Sequence, residues 1–318
     1  MTTGRRRSGA GTTAGEAGGR GAVLPGGQQP GALRVGTLSF GVGADGDHRN
    51  LPPDVLLDAI SRGFARGTAA LDLILTAGRT LLHAPSARDI LDASGGIPVL
   101  FEASDHGGRA SWFLAHAQRG PVRSILRASQ IVHSRNEEHE KPELYRRLAR
   151  VLAQGKGIIR IRQGPALVLL ICGENNLLEC CEPMGRRLLR RVAGRADEAL
   201  QRRLQQPWIA LNPAHGPYQR GLTSGFTKVE KFRGVGPTLR RVTNGRLLDD
   251  GCREPVALLH CNNFNSDPRT RSLAARLFTG GRARGPVERP HGGRSDDIEW
   301  RACLFEITWQ PTGLITRP

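Results

Sequence analysis

The sequence predicts an α/β fold, and three observations carry that expectation. Strand and helix patterns alternate from about residue 33 onward, the strand patterns are strongly apolar, and several stop abruptly in clusters of polar side chains. Alternation of this kind builds a sheet covered by helices, whose chemistry collects where the strands end.

Residues 1–32 are mostly Gly, Thr, Ala, Arg and Pro without periodicity. Such a composition buries too little surface to offset its ordering entropy, so this arm is expected to be disordered and residues 33–318 to form one domain. Order begins at ALRVGTLSFGV, where Val35, Thr37 and Ser39 alternate with Gly36, Leu38 and Phe40 as in a strand. In PDVLLDAISRGFARGTA, Val55, Leu56, Ala59, Ile60 and Phe64 share one helical face. LDLILTAG then reads as a second strand. Strand, helix and strand in so short a span form a βαβ crossover, which implies a parallel pair.

SARDILDAS predicts a short helix with Ser86 at its N-cap, and IPVLFEAS another buried strand. In SWFLAHAQRGPVRSILRASQIV, two extended runs flank Gln118, Arg119, Gly120 and Pro121, which is hairpin chemistry. A polar helix is expected over Pro142 to Leu152, then two strands within KGIIRIRQGPALVLLICGENN, joined at Gln163 and Gly164. MGRRLLRRVAGRADEALQRRL predicts an arginine-studded helix over Met184 to Leu204. WIALNPAH, PVALLHCNNF and WRACLFEITW predict further strands, with a Gly- and Arg-rich loop over 279–295.

Composition narrows the function classes. A chain of 318 residues with 38% hydrophobic content can bury a core. Its longest apolar run, Pro165 to Cys172, is far shorter than the roughly 20 residues of a membrane helix. Arg5, Arg6 and Arg7 precede SGAGTTAGEAGG where a signal peptide would have its apolar segment, so a cytoplasmic protein is expected. The six cysteines show no disulfide framework and no CxxC pair, which predicts reduced thiols and no metal site. The formal charge of +17 admits a nucleic-acid partner. Against it, aromatics are only 5% and none is interleaved with the basic runs as a stacking platform requires. GVGADG is a lone glycine cluster without phosphate-loop spacing, so no organic cofactor is expected.

The candidate chemistry lies in GPALVLLICGENN. A cysteine ending a buried strand is commonly a small core hydrophobe. Here Gly173 permits a tight turn, and Glu174, Asn175 and Asn176 crowd the same spot, which points to a thiol presented at the carboxyl edge of a sheet. Such a thiol, with a free pKa of about 8.5, works as a nucleophile when a base, a cation or a helix N-terminus favours the thiolate. His215, in NPAHGPY, is a candidate proton carrier or substrate donor, with holding its loop as the alternative. Asn262 and Asn263, in HCNNFN, are candidate substrate ligands, with bonding the local backbone as the alternative. Three strand ends this polar favour a cleft.

GPALVLLICGENN followed by IALNPAH, with the strand DLILTAG, the hairpin SWFLAHAQRGPVRSI and the order of elements, resembles the carbon-nitrogen hydrolase (nitrilase) superfamily from about residue 33 to the end. The resemblance implies a four-layer α-β-β-α sandwich that dimerises through helices. It also implies a cysteine attacking an amide or nitrile carbon, a glutamate as general base and a lysine stabilising the oxyanion. Cys172 matches the nucleophile, and Asn212, Pro213, Ala214 and His215 match the far wall of the site. Gly78 falls near the glutamate's place, and Ala128 or Ser129 in the lysine's. Glu102 or Glu174 is therefore the expected substitute acid/base and Arg127 the substitute cation, with Asn175, Asn176, His215, Asn262 and Asn263 binding substrate. The expected activity is hydrolysis or acyl transfer at an amide or nitrile C–N bond of a small molecule, in a homodimer. The alternative is a catalytically inactive nitrilase-fold protein that binds a ligand or a partner.

Overall fold

The computed structural model describes residues 23–24, 31–42, 50–64, 71–104, 108–128, 130–132, 142–161, 164–174, 208–216, 257–266, 274–279 and 282–309. Along the chain they form β1 (Val23–Leu24), β2 (Ala32–Val42), α1 (Pro53–Phe64), β3 (Leu73–Thr76), α2 (Ala87–Ser94), β4 (Val99–Ser104), β5 (Ala110–His116) and β6 (Val122–Ala128). There follow α3 (Pro142–Ala153), β7 (Ile158–Ile161), β8 (Ala166–Leu169), β9 (Trp208–Ala214), β10 (Ala257–Asn262), β11 (Phe264–Asn265), β12 (Ala275–Thr279), β13 (Arg282–Arg284), β14 (His291–Ser295) and β15 (Ile298–Thr308).

Two sheets result. One runs β14-β15-β2-β3-β4-β5-β6, with β11 beside β2, and the other β1-β7-β8-β9-β10-β12-β13. Within the first, β2, β3 and β4 are parallel, and within the second β8, β9 and β10 are parallel. Parallel neighbours end at the same edge, so each sheet gathers several carboxyl ends.

The period of two residues in a strand decides which side chains go where. Leu33, Val35, Leu73, Leu75 and Leu100 of the first sheet meet Leu167, Leu169, Ile209, Leu211 and Leu259 of the second in one buried cluster between the sheets. The alternate residues Leu38, Ile74, Val99 and Phe101 pack outward against Val55, Leu56, Ile60 and Ile90 of α1 and α2. On the far side Val168, Ala210 and Leu258 pack against Leu148 and Leu152 of α3. Three cores between four layers make this an α-β-β-α sandwich. Burying each Leu or Ile contributes about 1.5–3 kcal/mol, so the inter-sheet cluster and the cluster beneath α1 and α2 both hold the layers together.

Local chemistry sets the short elements. Ser86 caps α2 by accepting from the Asp89 N–H at 3.1 Å. The helix stops at Gly95, whose left-handed φ of 65° lets its own N–H and that of Gly96 return to the carbonyls of Asp92 and Leu91. Between β5 and β6, Arg119 and Gly120 both take positive φ, which closes the expected hairpin.

The structure departs from expectation in two places. Within 279–295, read as a loop, lie β13 and β14, which pair with β12 and β15. Arginine and glycine have weak strand preference, so pairing with neighbours imposes these strands. Within the expected N-terminal arm, Val23–Leu24 pairs in parallel with Arg160–Ile161 of β7. The expected arginine-rich helix over Met184 to Leu204 lies outside the described residues. Among the described residues, no helix is long and apolar enough to cross a membrane.

Candidate active site

The polar residues collect just past the carboxyl ends of five parallel strands. Gly78 and Thr80 follow β3, Glu102 lies near the end of β4, Cys172 follows β8, His215 follows β9 and Asn263 follows β10. Glu102 shares strand parity with Leu100, which places it on the face turned toward the other sheet.

Cys172 heads a single tight turn over residues 172–174, with φ of 44°. A left-handed backbone in a residue bearing a Cβ costs on the order of 1–2 kcal/mol, so neighbouring bonds must hold it. One such bond is the Glu174 N–H donating to the Ile171 carbonyl at 2.9 Å. The thiol is half-buried, is not part of a disulfide, and packs against the inter-sheet cluster.

The imidazole of His215 joins Cys172 to Glu102. Its Nε2 lies 2.9 and 3.1 Å from the two Glu102 oxygens, and since a carboxylate only accepts, Nε2–H is the donor. Glu102 is 1% exposed and also accepts from Thr80 Oγ1 at 3.0 Å. The Cys172 side chain hydrogen-bonds the same imidazole. Burial alone would push the His215 pKa down, but the Glu102 charge, with the bonds to Cys172 and Glu102, raises it to about 10. The imidazolium is therefore the favoured form near neutrality, beside the Cys172 sulfur, whose charge also helps to hold the proton on the ring.

Gly78 explains how the histidine reaches this position. A Cβ at residue 78 would stand 3.0 Å from His215 Cδ2 and from the His215 nitrogen. The Gly78 N–H donates to the Ala214 carbonyl at 3.2 Å, so the two strand ends are stitched together where a side chain would separate them. Asn263, fully buried, fixes the same junction. Its Nδ2 donates to the carbonyls of Gly78 at 3.0 Å and His215 at 2.8 Å, while its Oδ1 accepts from the Phe40 N–H at 3.3 Å.

Glu174 and Arg127, both expected to act on substrate, are joined to each other instead. Arg127 Nη1 and Nη2 donate to the two Glu174 oxygens at 2.8 and 2.7 Å, with side-chain exposures of 1% and 0%. Glu174 further accepts from the backbone N–H groups of Ile131 at 2.7 Å and Ile171 at 2.9 Å. With four donors on it, this carboxylate anchors the cysteine turn, and the guanidinium is neutralised. Gly157 makes room for the pair, since a Cβ there would come within 2.8 Å of Arg127 Cδ.

Of the nine expected site residues, Cys172, Glu102 and His215 are thus brought into one chain of contacts. Asn262 is buried and donates to the Asn263 carbonyl at 3.3 Å, and Asn263 binds backbone as described. Asn175 and Asn176 lie outside the described residues. Thr80 was not expected, and nothing in AGRT distinguishes it before β3 and β4 pair. A separate cleft of about 510 Å³, bordered by Ala275, Arg301, His291 and Cys303, contains none of these residues. Among the described residues, no group of three His, Cys, Asp or Glu side chains is placed to hold a metal ion.

The fold and the cluster together define an α-β-β-α sandwich with a thiol, an imidazole and a carboxylate in sequence at one edge. No family model and no curated protein matches the chain. Among solved structures, a mutant of the amidase from Nesterenkonia sp. AN1 in complex with butyramide is 13% identical, with a TM-score of 0.39 over 86% of this chain and 90% of that one. The carbon-nitrogen hydrolase from Helicobacter pylori G27 is 11% identical, with a TM-score of 0.39 over 86% and 89%. An N-terminal amidase is 9% identical, with a TM-score of 0.28 over 67% and 55%. Likenesses this slight say nothing about activity, and the sandwich is read from its own sheets and cores.

Proposed function

We propose that the protein is a cysteine hydrolase or acyltransferase acting on the amide-type C–N bond of a small molecule, with Cys172 as nucleophile, His215 as acid/base and Glu102 as the group that orients and charges His215. The observation that carries this reading is the single imidazole held between a strand-end thiol and a buried carboxylate. In the resembled family a glutamate takes the thiol proton. The resemblance puts Gly78 near that glutamate's place, and His215, against which a Cβ at Gly78 would press, is read as the base in its stead.

The chemistry follows from the arrangement. At rest His215 holds the Cys172 proton, so that the nucleophile is a thiolate beside an imidazolium. The thiolate attacks the carbonyl carbon, the C–O π electrons move to oxygen, and the imidazolium protonates the leaving nitrogen as the C–N bond breaks. A thioester remains, the amine departs, and His215 is neutral. Water, or an amine acceptor, then loses a proton to His215 as it attacks the thioester, and the sulfur leaves as the thiolate, which restores the thiolate and imidazolium pair. Glu102 stays ionised throughout and stabilises each imidazolium. A thiolate of this kind needs a reducing compartment.

The test is the alkylation rate of each cysteine by a small electrophile from pH 5 to 9, read by peptide mass spectrometry, followed by a panel of primary amides and nitriles assayed for released ammonia. Rapid labelling of Cys172 well below pH 8.5, lost in His215→Ala, supports the enzyme. A Cys172 that labels only on unfolding rules it out. The second reading, a non-catalytic ligand-binding protein, draws on the neutralised Arg127, which leaves that guanidinium unable to serve an oxyanion. It predicts a reactive or inert thiol with no turnover on any amide, and binding of those amides without product.

A further inference from the structure

The turn that carries Cys172 is held from two sides, and the Arg127 and Glu174 pair is only one of them. On the other lies Asn212 in β9, which is 1% exposed. Its Nδ2 donates to the Leu170 carbonyl and, at 3.2 Å, to the Cys172 carbonyl. Its Oδ1 lies 2.5 Å from His260 Nδ1. Two carbonyls can only accept, so the amide nitrogen must face them and the amide oxygen must face His260. His260 consequently carries a proton on Nδ1. The parallel register of β9 and β10 sets His260 directly opposite Asn212, so both side chains are delivered by the sheet.

We infer that Asn212 and His260 form a positioning pair for the Cys172 nucleophile, His260 fixing the amide of Asn212 and Asn212 fixing the backbone of the cysteine turn. The inference rests on the reading of Cys172 as nucleophile. Leu170 and Cys172 lie just past the end of β8, where buried carbonyls need donors. The Asn212 amide supplies one donor group to both and spans the residue whose φ is 44°. Without it, the turn is free to relax toward the right-handed region, which rotates the Cα–Cβ bond and carries the sulfur away from His215. A displacement of about 1 Å at a reacting atom costs on the order of 100-fold in rate. Neither Asn212 nor His260 needs to touch substrate for this to hold.

Three variants of the full chain test the pair by the pH profile of Cys172 alkylation, with thermal melting alongside. Asn212→Asp keeps the shape and replaces the donor by an oxygen that both carbonyls repel. His260→Leu removes the donor to Asn212, whereas His260→Asn keeps one close to the Nδ1 position. The expected result is labelling at pH 7 slowed by about 10-fold or more in Asn212→Asp and His260→Leu, with the midpoint moved toward the free thiol near 8.5, and recovery in His260→Asn. Lower melting temperatures with an unmoved midpoint mean a purely structural role and overturn the pair. If Asn212→Asp does not fold, the contrast between the two His260 variants decides alone. A wild-type Cys172 that is inert refutes the nucleophile and the pair together, while a reactive wild type with unchanged variants refutes only the pair.

Discussion

Replacing Glu102 by Gln isolates the charge that sustains the cluster. The substitution keeps the volume of a side chain that is 1% exposed, and leaves Thr80 and His215 within reach of an amide. What disappears is the largest influence raising the His215 pKa. The interval between the ordinary 6.5 and about 10 corresponds to roughly 5 kcal/mol of preference for the imidazolium. With the charge gone, burial is opposed only by the Cys172 sulfur and the imidazole pKa falls, which weakens the histidine's hold on the thiol proton at pH 7. The expected result is a pH profile of Cys172 alkylation that rises with a midpoint near 8.5, where wild type is already reactive near pH 6. Turnover of any amide substrate should fall about 10³–10⁴-fold, as when the orienting acid of a triad becomes its amide. Stability should respond with the opposite sign at high pH. A raised folded-state pKa adds stability that is complete below the unfolded value of 6.5 and is lost as pH climbs through about 10. The wild-type melting temperature should therefore decline over that window more than the variant's does. An unchanged labelling profile in a folded Glu102→Gln protein would refute the reasoning.

Gly78→Ala puts a methyl 3.0 Å from His215 Cδ2 and its backbone nitrogen; it should cost about 1–3 kcal/mol by denaturant titration and slow Cys172 labelling, because the histidine must retreat. Arg127→Met leaves the Glu174 carboxylate buried without its cation, and should cost about 3–5 kcal/mol in the same titration while loosening the cysteine turn. Cys261 should label only on unfolding, since burial pushes its thiol up to about 12, which makes it the internal control for Cys172 in one digest. Leu211→Ala, between the sheets, should lower stability by about 2–5 kcal/mol without moving the pH profile of Cys172, read by melting and labelling together.

Several features of the fold are legible in the chain. Strand and helix periodicity in ALRVGTLSFGV, PDVLLDAISRGF and IPVLFEAS fixes which face each element buries, and Ser86 and Gly95 mark the ends of α2 by chemistry contained within a few residues. Cys172 is conspicuous because an apolar strand runs into a polar cluster. Glu102 and His215 were visible as candidates for the same reason, each being polar at the end of an apolar run.

Their relation to one another was not visible. Glu102 and His215 stand 113 positions apart, as do Arg127 and Glu174 at 47, and local pattern carries no information about which carboxylate meets which cation. In sequence, Glu174 is the acid nearest the thiol and Arg127 the natural substitute cation. In space they neutralise each other, and the more distant Glu102 supports the histidine. The strands β13 and β14 were hidden likewise, because Arg and Gly adopt the extended form only when a neighbouring strand supplies partners. The sequence by itself determined the layers and the strand ends that bear polar groups, since hydrophobic periodicity and capping are short-range. Only the tertiary structure decided which of those groups meet, since that depends on two sheets coming together so that five strand ends share one edge.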